Sequence, residues 1–311
     1  MKKLLLPLIA LLLSVNVAFA QDAPASPWTH GGNVGFNMAQ SHFDNWSAGG
    51  QDNINFLGIV KYDINYKKGN HKWDNNIDLQ LGYSYFDLKK NPIKTDDRIF
   101  LSSLYGHNLS SDKWFATADF TFQTQFANGY DYKTDSTNRI SGFMVPGYVT
   151  LGLGVQWVPN EHFKVNLAPI TGRMTIVNDK KLADAGAFGV DKAEYDEETG
   201  ELIKHGKTVR WELGAQLTAE FNYEIFKNVN FSSKLIAFYD YFTNGKNALE
   251  ENYTCPVDFD WDNALIMKVN DWLSCNITAR LVYDEDIAPI QGTTFRQFKE
   301  VLSLGISYKI P

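Results

Sequence analysis

The densest run of chemistry-bearing residues is Asp258-Phe-Asp-Trp-Asp262, three carboxylates at alternate positions. Oxygen-rich clusters bind hard cations such as calcium. In an extended chain, same-side neighbours stand roughly 7 Å apart, too wide for three carboxylates to share one ion without help from a loop. The spacing suits a row of charges along one wall, each needing a counter-charge or water. Other charges recur in the same phase: Lys61 with Asp78 in an early hairpin, then Glu212, Lys234 and Arg280. Together they describe an ion-paired interior or a charged filter for a solute. No metal and no cofactor is expected.

Catalysis would need a constellation. A lipase needs Ser and His side by side, yet His71, His107 and His162 fall next to short turns and His30 opens the first strand. Only His42 and His205 belong to long connections. His42 with Asp44 imitates the acid–His pair of barrel proteases, but no second acidic pair accompanies it. The expectation is a protein that is not an enzyme.

The elements that must position these charges are strands. Ile54, Phe56, Gly58, Val60, Tyr62, Ile64 and Tyr66 share one face, and Asn53, Asn55, Lys61, Asp63 and Asn65 share the other. Such period-two alternation recurs about a dozen times along the chain. It makes strands with one apolar and one polar face. Many such hairpins behind an export signal predict an antiparallel up-and-down transmembrane β-barrel of twelve strands, with lipid outside and polar groups inside.

Opposed residues of a hairpin must face the same side, which tests the register of each short turn. Centring the first turn on Lys68 and Gly69 opposes Val60 to Ile77. Ser110–Lys113 opposes Tyr105 to Ala118, Pro159–His162 opposes Val155 to Val165, Glu224–Asn228 opposes Tyr223 to Val229, and Asn270–Trp272 opposes Met267 to Cys275. All keep their apolar sets in phase. The intervening connections, 40–52, 87–97, 127–147, 178–207, 243–255 and 284–297, are longer and polar, as expected of extracellular loops set against periplasmic turns. Within the fourth of these, Thr199-Gly200 reads as the tip of a small hairpin. The loop itself would form a constriction.

Aromatic residues bracket the strands. Trp73, Trp114, Trp157, Tyr223 and Trp272 lie beside short turns; Trp261, Tyr239 and Tyr241 lie toward long loops. Two interfacial girdles are therefore expected. In the predicted register Cys275 lies beside the last short turn and Cys255 about ten residues higher. That separates them by roughly 30 Å at about 3.4 Å per residue, whereas a disulfide needs Cα atoms within about 7 Å. Two free cysteines are expected.

Residues 1–20 read as a secretory signal peptide, with Lys2 and Lys3, an apolar Leu4–Leu13 run and Ala18-Phe-Ala20 as the cleavage site. A short tail over 21–27 and one barrel domain over 28–311 follow. A mean hydropathy of −0.29 does not oppose the membrane, because only alternate residues of a barrel meet lipid. The net charge of −7 argues against nucleic acid. The partner classes left are membrane lipid, a small hydrophilic solute and an envelope protein.

The segment from Gly31 to Gly50 contains Phe43-Asp-Asn45-Trp46-Ser-Ala-Gly49-Gly50. It reads as a tight first loop folded on the barrel mouth with Trp46 as anchor, or as an exposed platform for a sugar or protein. With Thr171–Val177 and Asp184–Val190, it resembles an uncharacterised family of outer-membrane barrels from Bacteroidota, catalogued as a domain of unknown function. The resemblance implies the outer membrane of a Gram-negative bacterium and supplies no activity. The last strand, expected over Glu300–Ile310, ends in Ser303–Ile310, which also resembles the C-terminal signal read by the bacterial barrel-assembly machine, with Pro311 and the final Ile as departures.

Two functions remain in play. One is a narrow channel or transporter for small solutes through a charged lumen. The alternative is a closed barrel that scaffolds an envelope secretion, assembly or surface complex.

Overall fold

The computed structural model describes residues 26–42, 52–86, 91–109, 111–132, 135–242, 257–284, 286–287 and 296–310. The signal segment, Asn45, Trp46, Gly49, Gly50 and Cys255 lie outside the described residues. The strands in chain order are β1 (Trp28–Ser41), β2 (Asn53–Lys68), β3 (His71–Phe86), β4 (Ile93–Asn108), β5 (Trp114–Thr124), β6 (Gly129–Asp131), β7 (Asp135–Ser141), β8 (Gly147–Trp157), β9 (Phe163–Ile176), β10 (Glu194–Tyr195), β11 (Leu202–Lys204), β12 (Val209–Phe226), β13 (Val229–Asp240), β14 (Val257–Lys268), β15 (Leu273–Tyr283) and β16 (Arg296–Ile310).

Twelve of these close into an antiparallel barrel in the order β1-β16-β15-β14-β13-β12-β9-β8-β5-β4-β3-β2. The remaining four form two loop hairpins, β6–β7 and β10–β11. Alternation has the sense a membrane demands. Leu151 is 62% exposed and faces out, while its neighbour Thr150 is 5% exposed and faces in. Asn37, Thr117, Gln156, Asn166 and Thr175 are likewise buried inside, and Phe36, Leu153, Leu302 and Ile306 are exposed outside. Such an apolar exterior would be an aggregation surface in water, and it is at home in lipid. Among the described residues no helix is long and apolar enough to cross a membrane.

Two of the expected turn registers stand, Tyr105↔Ala118 and Met267↔Cys275. Three slip by two residues, which leaves every side chain on its expected face. The first hairpin pairs Lys68↔His71 and Val60↔Leu79, because Gly69 takes a positive φ of 56° and opens a two-residue loop. The third pairs Trp157↔Val165 and Val155↔Leu167. Here Asn160 Oδ1 accepts hydrogen bonds from the backbone N–H of His162 and Phe163, both at 2.9 Å, and shapes the turn. The fourth pairs Phe226↔Val229 and Tyr223↔Phe231 across a bulge, with Asn228 at a φ of 66°.

Pro169 imposes a further irregularity. It has no N–H to give the ladder, so proline in a sheet goes with bulges. The β9 register shifts against both neighbours there, from Val155↔Leu167 to Leu153↔Ile170 and from Gln216↔Ala168 to Gly214↔Thr171. The extra residue reverses the alternation: Asn166 and Ala168 are buried before it, Thr171 and Thr175 after it.

The aromatic residues at the strand ends are exposed. Trp73, Trp114, Trp157, Tyr223 and Trp272 are exposed at the short-turn end, and Trp261, Tyr239 and Tyr241 are exposed toward the long-loop end. Trp114 and Trp157 stack across strands with ring centroids 6.0 Å apart. Trp261 Nε1 donates to Ser233 Oγ at 2.9 Å.

The long-loop end carries its own small core. Val145, Val177, Ala183 and Val190 are buried together, with Leu182 and Phe188 against them. A short helix α1 (Lys180–Asp184) is capped by Asp179, which accepts from Leu182 N–H at 3.1 Å. Asn178 N–H donates to Met144 O at 2.9 Å, and Arg139 pairs with Asp179 at 3.2 Å. The expected hairpin tip at Thr199-Gly200 forms between β10 and β11, with Gly200 at a φ of 71°. Hydrogen bonds from the backbone N–H of Thr199, then from its hydroxyl, hold the Asp196 carboxyl below its usual range.

Candidate functional site: the charged lumen

The three carboxylates of β14 point inward, and each meets an arginine from a different strand. Asp258 Oδ2 lies 2.6 Å from Arg173 of β9. Asp260 is held bidentately by Arg280 of β15, at 2.8 Å from Nε and 2.5 Å from Nη2. Asp262 accepts from Arg98 of β4 at 2.9 Å and lies 3.6 Å from Arg280. The expected juxtaposition of Asp262 with Arg280 is a ladder pair. Bidentate guanidinium–carboxylate contacts fix geometry as well as charge.

Arg98 and Asp262 carry most weight for the shape of the lumen. Their strands β4 and β14 sit six places apart in a ring of twelve, on opposite walls. Arg98 also lies over the Phe100 ring, 4.8 Å from its centroid, and Lys234 approaches the same ring at 5.0 Å. Lys299 of β16 reaches Asp96 of β4. At this level side chains from opposed walls meet in the middle.

Toward the long-loop end, Arg173 clasps Glu212 with Nε–Oε2 at 2.8 Å. Arg210 lies 3.2 Å from Glu212 and pairs with Asp286. Glu212, Asp258 and Asp286 can each bring one oxygen within 4.8 Å of the others. The guanidinium groups of Arg173 and Arg210 already occupy that space, so the donors serve ion pairing. Gly189 of the 178–207 connection sits against Arg210 and Asp286, where an added Cβ would collide with both. That loop thus leans over the mouth. Burial, then the Asp258 charge, pushes the Asp284 carboxyl up to about 7.

Toward the short-turn end, Glu220 joins Lys164 at 2.8 Å and Lys234 at 3.3 Å. Lys61 faces Asp78 at 3.8 Å. Thr117 donates to Asn166 at 2.7 Å, and Asn166 donates to Asp119 at 3.2 Å.

Every lumen candidate read from the sequence therefore points inside: Asp258, Asp260, Asp262, Arg280, Lys61, Asp78, Glu212 and Lys234 are all paired. Three arginines escaped that reading. Arg98 was lost because Asp97 was taken as the end of a loop, whereas β4 begins at Ile93. Arg173 was lost to the phase reversal at Pro169, a signal present in the sequence as Leu167, Ile170 and Met174 set three and then four apart. Arg210 lies one residue inside β12. Outside the lumen, Cys275 is free on the lipid-facing side. His42 Nδ1 contacts Asp52 at 2.9 Å on an exposed surface.

No curated protein sequence matches the chain. Among solved structures, outer membrane phospholipase A from Escherichia coli is 10% identical, with 90% of this chain and 97% of that one covered and a TM-score of 0.38. The NanC porin is also 10% identical over 90% and 97%, with a TM-score of 0.36. The translocator domain of the autotransporter NalP from Neisseria meningitidis is 12% identical over 92% and 90%, with a TM-score of 0.34. Likeness at this level leaves activity open; the membrane assignment rests on the apolar exterior, the girdles and the closed ring of strands. The chain is a twelve-stranded barrel of outer-membrane architecture, and its residues 38–130 match the family model described as "Protein of unknown function (DUF3078)".

Proposed function

We propose that this barrel is a narrow conduit for small hydrophilic solutes, constricted by the arginine–carboxylate pairs of its lumen, and not an enzyme. The observation that carries the reading is the Arg98–Asp262 contact at 2.9 Å between opposite walls. Ion-paired side chains can yield to a passing ion or small polar molecule more readily than a packed apolar core, because the solute replaces one partner of each pair. Eight-stranded barrels fill with side chains and sixteen-stranded ones leave an aqueous channel, so twelve strands suit a small opening. The three β14 carboxylates and their arginines form the filter in this reading, and the 178–207 loop restricts the mouth.

The test is single-channel recording in planar bilayers. Wild-type protein is expected to give a small conductance, and Arg98→Ala with Asp262→Asn a severalfold larger one. Neutralising Asp258, Asp260 and Asp262 together should change cation–anion selectivity. A barrel that passes no current in either form ends this reading. An envelope protein recovered with it after gentle detergent extraction would then support the scaffold role.

A further inference from the structure

Two histidines meet on the outer face of the barrel at its short-turn end. His71 opens β3, His107 stands next to last in β4, and the ladder pairs them directly. Opposed residues of an antiparallel pair carry their Cβ atoms about 4.5–5.5 Å apart on one face. Both histidines share the phase of Trp73 and Tyr105, so they leave the wall outward, and both are exposed. Their rings approach to 4.9 Å between centroids, and their Nδ1 atoms stand 3.5 Å apart. The pair is silent in the sequence, because its members lie 36 positions apart.

A hydrogen bond accounts poorly for this approach, since 3.5 Å is long for a nitrogen donor and acceptor. His71 Nδ1 also meets the Tyr105 hydroxyl at 2.6 Å, and one ring nitrogen offers either a lone pair or a proton. The spacing fits a different chemistry. Imidazole nitrogens bind zinc at about 2.0–2.1 Å, so two of them on one tetrahedral ion stand about 3.3–3.4 Å apart. The observed 3.5 Å is close to that bite. The wall holds it in place, because β3 is bonded to β2 and β4, and β4 to β3 and β5. Ala116 faces His107 from β5, and its single methyl leaves the ring room to turn. Lys68 faces His71 from β2, but it is exposed, and its long stem keeps the ammonium in water.

We propose that His71 and His107 form a binding site for a divalent transition-metal ion of the zinc–copper class. The ion is held between the two Nδ1 lone pairs, with the Tyr105 hydroxyl released from His71 and water completing the shell. Neutral imidazoles select such ions over calcium or magnesium, which take oxygen ligands. The carboxylate row of β14 remains an ion-pair ladder, and the imidazole pair is a separate site. It stands on the outside of the wall and does not depend on solute conduction. A barrel that carries no current can still bind the ion, and a conducting one can lack it.

The test is titration of the untagged, folded protein in detergent with copper(II), followed by electron paramagnetic resonance. Only variants that keep the heat-modifiable mobility of the folded form are scored. Wild-type protein is expected to bind one copper ion whose spectrum shows splitting by two imidazole nitrogens. His71→Gln and His107→Gln should each weaken that binding by about tenfold or more, because the second imidazole acts as an intramolecular ligand. His162→Gln, at another short turn beside Tyr223, should leave it unchanged. Zinc(II) gives a second readout. It should raise the urea midpoint of the wild type and not that of His107→Gln, since the ion binds the folded pair. Copper affinity that ignores either substitution, or a spectrum of one nitrogen, would mean an adventitious ion only and overturns the site. A zinc shift equal in wild type and His107→Gln, or absent from both, overturns it as well.

Discussion

Arg98 and Asp262 project from opposite walls of the barrel and meet at 2.9 Å, so that one ion pair spans the lumen. The Arg98 side chain is 9% exposed and that of Asp262 is 35% exposed, which places the contact between the deep interior and open water. Arg280 adds a second cation to Asp262 at 3.6 Å. A carboxylate shared by two arginines keeps one partner when the other is lost, so the bridge can open without stranding a negative charge.

Coupling between the opposed walls is measurable. A double-mutant cycle with Arg98→Gln and Asp262→Asn, followed by urea unfolding from lipid vesicles, is expected to return an interaction energy of about 0.5–3 kcal/mol. Simple additivity would mean that the two walls are mechanically independent.

Arg173 should matter more for stability. It serves both Glu212 and Asp258, and the Glu212 side chain is only 2% exposed. Arg173→Leu leaves Asp258 without its cation and Glu212 with Arg210 alone, and is expected to cost about 3–5 kcal/mol, as for other broken buried pairs. Lys204→Ala removes a pair in which both side chains are 61% exposed and should cost less than about 1 kcal/mol. The same unfolding titration reads both, and comparable losses would contradict the ranking.

The long-loop mouth should respond to pH. The Asp284 carboxyl is raised from 3.8 to about 7 by burial and by Asp258. The folded state therefore holds its proton in a range where the unfolded chain has released it. This group's contribution is full at pH below 4 and is lost as pH climbs toward and through 7. Asp284→Asn is expected to flatten the dependence of unfolding on pH between about 5 and 8. An unchanged profile would assign that dependence to another group.

The loop core is separable from the wall. Val190 is 4% exposed among Val145, Val177 and Ala183. Val190→Asp should unravel the 178–207 connection, letting trypsin cut at Lys180 or Lys181 while the barrel keeps its heat-modifiable mobility. Loss of the folded barrel itself would show that rim and wall fold as one unit.

The sequence disclosed which way side chains point better than where strands meet. Alternation between lipid and lumen runs unbroken along β14 and β15, so Asp258, Asp260, Asp262 and Arg280 could be placed inside without any turn being known. Register depends on a few backbone angles and caps. The positive φ at Gly69, the positive φ at Asn228 and the Asn160 side chain each moved a hairpin by two residues. A two-residue slip is silent in the face pattern, which is why the lumen assignments survived it. Contacts across the cavity were not legible, because nothing local to Arg98 or Lys299 encodes the wall opposite. The Asn45–Gly50 motif, distinctive as text, lies outside the described residues.

Pro169 makes β9 a strand of two phases. Counting back from Arg173 without the bulge would turn its guanidinium into the acyl chains and bring Met174 into the water-lined side. Insertions or deletions of a single amino acid between Leu167 and Thr171 should therefore be far less tolerable than paired ones. A lineage of such barrels would preserve the stagger even while exchanging the proline that causes it.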